Sequence, residues 1–82
     1  MMERTTDEIA QIYNASKDSV TLINSVAAQS TITDEDKDTL KRNVDHIEII
    51  KAYKKEDGTT SIWGSEDFST HDAAVTLGKS KY

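Results

Sequence analysis

A chain of 82 residues with 35% apolar side chains has room for one domain with a thin core, and without cysteine neither a disulfide nor a thiolate zinc site can staple it. The net charge of −5 is spread along the chain, −2 over residues 1–30, −2 over 31–58 and −1 over 59–82. That distribution argues against direct nucleic-acid binding, which needs clustered Lys and Arg. No apolar run approaches the roughly 18 residues of a membrane span, and Met1-Met2-Glu3-Arg4 opens no apolar signal region.

Proline is absent and glycine occurs only at Gly58, Gly64 and Gly78, so helices are the economical reading. The first is expected over about residues 6–28. Thr6 can cap it, and Asp7 and Glu8 suit the positive end of its dipole. At about 100° per residue, Ile9, Ile12, Tyr13, Ser16, Val20, Ile23 and Ala27 fall in one sector, an amphipathic stripe. A narrower stripe holds Ala15, Leu22 and Val26 about a third of a turn away. It either flanks a wide core face or forms a second contact surface for another subunit.

The second helix is expected over about residues 34–52. Thr33-Asp34-Glu35-Asp36 resembles a capping box with Asp in place of Glu or Gln. Leu40, Asn43, Val44, Ile47 and Ile50 share one face, and Asp38 and Arg42 have the i,i+4 spacing of an external pair. Ile49 and Tyr53 point away from that face, near His46. Asp57-Gly58 is a two-residue hairpin signal, so Lys54–Glu56 could pair with Thr59–Ile62 as a short ribbon; a plain loop is the alternative.

A third helix is expected over about residues 66–77, with Ser65 as its N-cap, Glu66 and Asp67 in its first turn and Gly78 at its C-terminal cap. Phe68, His71 and Val75 share a face, and Ala73 and Ala74 permit close approach of a neighbour. Trp63, the sole tryptophan, is either the anchor of a small core or an exposed hot spot for a partner.

Few residues point to chemistry. Asp34-Glu35-Asp36-Lys37-Asp38 begins like a calcium loop, but the sixth and twelfth positions are Thr39 and Asp45, not Gly and Glu. Asp45 and Glu48 stand at i−1 and i+2 from His46, so they do not face it on a helix. His71 reads as a partly buried structural residue. No G-x-S-x-G and no phosphate-cradling glycine loop occurs. The expectation is a chain that is not an enzyme, with no cofactor, no metal and no small-molecule substrate.

Two stretches carry a resemblance. Arg42-Asn43-Val44-Asp45-His46-Ile47-Glu48-Ile49-Ile50 is followed by Trp63-Gly64-Ser65-Glu66-Asp67-Phe68, then by Asp72-Ala73-Ala74-Val75 and Gly78-Lys79. This order resembles a short helical module of unassigned function in small proteins of tailed bacteriophages, cyanophages among them. The match runs from Arg42 to Lys79, and the sequence departs from the module by an insertion over Lys54–Ser61. The resemblance implies a virion-associated or assembly role and a location in the virion or the host cytoplasm. It brings over no catalytic residue.

Together these readings predict an all-α, antiparallel three-helix domain that binds a protein partner or itself. Ala15, Leu22, Val26, Ile49, Tyr53 and Trp63 are the expected interface residues. A second class of function is an acidic inhibitor that imitates nucleic-acid charge on a host enzyme.

Overall fold

A computed structural model describes residues 5–64 and 66–82, which form three helices and no strand. These are α1 (Thr6–Ala27), α2 (Asp34–Lys51) and α3 (Ser69–Lys79). Each packs on the other two. Ser19 of α1 meets His46 of α2, Ser16 of α1 meets His71 of α3, and Lys51 and Glu48 of α2 reach Asp72 and Lys79 of α3. Gly78 lies against Ile23 of α1 and Val44 of α2. These pairings give an up-down-up order, with α2 antiparallel to both neighbours.

The chain starts and stops helices where its own hydrogen-bonding groups dictate. Thr5, one residue before the expected Thr6, caps α1: its hydroxyl accepts from the Glu8 amide at 3.1 Å. The expected capping box opens α2. The Thr33 hydroxyl accepts from the Asp36 amide at 3.1 Å, and the Asp36 carboxylate accepts from the Thr33 amide at 3.1 Å. Three acidic residues then line the first turn and Lys51 ends the helix, the order the dipole prefers. Among the described residues no ion pair joins Asp38 to Arg42; the α2–α3 pairs Lys51–Asp72 and Lys79–Glu48 form instead.

Helix α3 departs most from expectation. It begins at Ser69, three residues later than expected, and the proposed cap Ser65 lies outside the described residues. Trp63 and Phe68 are both buried, and α3 begins only after Phe68 has entered the core. The Asp67 carboxylate accepts from the Ser69 amide at 2.8 Å, so it caps the helix from outside and does not occupy its first turn. Gly78 is not the cap: the helix continues to Lys79, and Ser80 ends it. Gly78 is buried inside α3, where a Cβ would stand 2.9 Å from Val44 Cγ2 and 3.2 Å from Ile23 Cγ2. Its lack of a side chain is what lets α3 close on both other helices.

The buried apolar side chains fall into two groups. Val20, Ile23, Val26, Ala27, Leu40, Val44, Ile47 and Ala74 fill one end. Ile50, Trp63 and Phe68 fill the other, flanked by half-buried Ile9, Ile12, Tyr13, Tyr53 and Ile62. Burial of one such aliphatic or aromatic side chain contributes roughly 1.5–3 kcal/mol, which is what must offset the ordering of so short a chain. Trp63 holds the second group together: its Nε1–H donates to the Ile50 carbonyl at 2.8 Å, and its ring packs T-shaped on Phe68 at 5.2 Å.

Between α2 and α3 the chain reverses at Asp57-Gly58, as a hairpin signal implies, and the expected ribbon shrinks to one antiparallel pairing, closed on its outer side by the Ile62 amide donating to the Tyr53 carbonyl at 3.2 Å. A single bridge joins Lys54 and Ser61, with the Lys55 amide donating to the Thr60 carbonyl at 2.7 Å. The Asp57 carboxylate takes over the pairing at the tip, accepting from the amides of Thr59 and Thr60 and from the Thr60 hydroxyl. These bonds, the Thr60 hydroxyl first, hold its pKa far below the ordinary carboxylate range. Gly58 has φ +73°, which only glycine adopts without strain.

Candidate functional site

The six residues expected at an interface separate in the fold. Val26 is 8% exposed and belongs to the first core group. Trp63, also 8% exposed, is the anchor of the second. Neither forms a surface, because each packs into the space between helices. Tyr53 is half-buried at the edge of the second group. Ala15, Leu22 and Ile49 are exposed, Leu22 by 42% and Ile49 by 59%.

The Ser19–His46 hydrogen bond, Ser19 Oγ to His46 Nδ1 at 3.1 Å, fixes how the exposed residues relate. On α1, Ala15 and Leu22 lie on the side of the helix next to Ser19 and away from Ser16, which faces α3. On α2, Ile49 lies on the His46 side and away from Lys51, which faces α3; Tyr53 follows the end of the helix and packs at the edge of the second core group. At 100° per residue Ala15, Leu22 and Ile49 therefore project from the outer face of the α1–α2 pair, the face opposite α3. His46 stands on this face, with Arg42 on one side along α2 and Ile49 on the other. Three of the residues expected at an interface, Ala15, Leu22 and Ile49, lie on this face, and the Ser19–His46 contact is one that sequence patterning does not reveal. The signal was available in Ser16 and Ser19, two small polar residues that interrupt the apolar face of α1.

A second Ser–His pair is buried. Ser16 is wholly buried and His71 is 2% exposed, more enclosed than the sequence suggested. Ser16 Oγ donates to the Tyr13 carbonyl at 2.6 Å and lies 2.8 Å from His71 Nε2. A hydroxyl has one hydrogen, so here it accepts from Nε2–H. That polarity is the reverse of a nucleophile's, where the imidazole must take the hydroxyl proton. The pair joins α1 to α3. The ring also contacts Tyr13 at 5.2 Å and Phe68 at 4.8 Å, and burial pushes its pKa below the usual histidine value.

The depressions differ in size: one of about 250 Å³ is lined by Tyr13, Lys17, Val20, Thr21, Thr70 and His71, short of the roughly 300 Å³ at which ligand pockets begin, whereas another reaches about 600 Å³. That larger one is a groove along Lys51, Trp63, Glu66, Asp67 and Asp72, and it is open to solvent. Among the described residues no group of three or more His, Asp or Glu side chains could hold a metal ion, and no helix is long and apolar enough to cross a membrane. No family model matches the chain, and no curated protein or solved structure matches it either.

Proposed function

We propose that this chain is a non-enzymatic protein-binding component that contributes the outer face of its α1–α2 pair to a helical interface, in a tailed-phage particle or in its assembly. The observation that carries the binding role is the exposure of Leu22 and Ile49, 42% and 59%, on the same side of two adjacent helices. Scattered apolar residues are ordinary on a protein surface. These two, however, lie on either side of the Ser19–His46 contact, and the small exposed Ala15 on the same side of α1 leaves room for another helix to approach. The phage context rests on the resemblance of Arg42–Ile50, Trp63–Phe68 and Asp72–Lys79 alone.

The test is the native mass by light scattering, of the chain alone and together with co-expressed particle proteins. The wild type is expected to assemble in one of these conditions. Leu22→Asp and Ile49→Asp should each abolish that assembly while leaving the helical circular dichroism unchanged. A wild type that stays monomeric in both conditions, or an assembly that survives both substitutions, removes the proposal. Added salt separates it from an acidic decoy, whose affinity would fall steeply as charge is screened.

A further inference from the structure

We infer that His71 is an acid-labile latch: one added proton on its ring undocks α3 from the α1–α2 pair. The argument begins with the single hydrogen of Ser16. Because that hydrogen goes to the Tyr13 carbonyl, the contact with His71 requires the hydrogen to be on Nε2. The second ring nitrogen, Nδ1, then carries only a lone pair. It is buried and has no hydrogen-bond partner among the described residues.

A neutral ring tolerates this arrangement, since a bare acceptor in an apolar setting costs less than a bare charge. A protonated ring does not. It would place an N–H where no acceptor stands and a positive charge inside the core. The charged groups around the ring do not remedy this. From α1 and α2 come Lys17 and Lys51, both repulsive toward an imidazolium. On α3 and just before it come Asp72 and Asp67, which attract it. Asp72 is already engaged by Lys51 at 2.7 Å, and Asp67 accepts the Ser69 amide. Burial outweighs them all and lowers the ring's proton affinity.

The sign follows from linkage. With the folded pKa depressed below 6.5, the unfolded chain binds the proton more readily. Stability is therefore complete above pH 6.5, falls as pH drops through that value, and levels off once the folded ring is protonated too. Helix α3 is the element released. His71 lies in its first turn, its other buried positions are Ala74 and Gly78, and its two ion pairs to α2 are solvent-exposed.

The test is equilibrium unfolding of the full chain between pH 7.5 and 5, above the range where ordinary carboxylates protonate, together with amide hydrogen exchange and NMR titration of the ring. The folding constant is expected to fall by up to about tenfold per pH unit below 6.5, with the α3 amides losing protection most. His71→Gln keeps an N–H for Ser16 and cannot titrate, so it should flatten the profile. A wild-type profile that is level across this window overturns the inference, as does a His71→Gln variant that keeps the wild-type slope. If that variant does not fold, the wild-type ring decides: titration below 6.5 supports the latch, and titration at or above 6.5 refutes it.

Discussion

Replacing Gly78 with alanine sets two opposed effects against each other. Alanine in a helix interior is favoured over glycine by about 1 kcal/mol, because glycine loses more backbone freedom on folding. If Gly78 were the cap its place in the sequence suggests, or stood in open space within the helix, only such local terms would apply. Here the new methyl would meet Val44 Cγ2 at 2.9 Å and Ile23 Cγ2 at 3.2 Å. Both neighbours are fully buried and β-branched, so in their helices each is held near one χ1 rotamer and has no free volume to turn into. Overpacking of this kind costs about 1–3 kcal/mol, and two stiff neighbours put the site in the upper part of that range. The net expectation is a destabilisation of about 1–2 kcal/mol, or a fall in the thermal midpoint of about 4–16 °C for a domain of this size. Urea unfolding followed by circular dichroism measures it. Gly78→Ala equal to or more stable than the wild type would show that α3 does not close on α1 and α2 at this point.

Two further substitutions probe the other end and the turn. Trp63→Phe removes the hydrogen bond to the Ile50 carbonyl and part of the second core group, so stability should drop by about 1–3 kcal/mol while the native mass stays as in the wild type; a lost assembly with unchanged stability would make Trp63 an interface residue after all. Asp57 has a folded pKa below its ordinary 3.8, so its contribution is present above that value and is lost as pH falls further toward the depressed one. Asp57→Asn should therefore flatten the most acid part of the stability profile, below pH 3.8, and an unchanged acid limb would show that the turn bonds do not favour the ionised carboxylate.

Helices α1 and α2 were readable in the sequence because their signals are local. The apolar spacing is long, and the Thr33–Asp36 box closes within four residues. Helix α3 was misplaced at both ends because local signals there compete with packing. Ser65-Glu66-Asp67 reads as a helix start, yet α3 begins only after Phe68 has entered the core. Gly78 has the residue type of a cap, and only its distances to Ile23 and Val44 reveal a close approach. The candidate surface was half legible. A stripe at 100° per residue gives direction but not the width of the buried arc, and α1, which touches two helices, buries Val26 while leaving Ala15 and Leu22 outside. The Ser16–His71 and Ser19–His46 pairs join residues 55 and 27 positions apart, which no spacing rule connects.

The division of the interior into two groups has an optical consequence. Trp63 reports on its own surroundings, with Tyr13 at 6.0 Å and Phe68 at 5.2 Å, while the first group contains no aromatic ring at all. Indole emission therefore tracks only the end where α1 begins and α2 finishes. Far-ultraviolet dichroism records helix everywhere. If the halves melt together, the two signals superimpose; if one half opens first, their separation identifies which, with no label introduced.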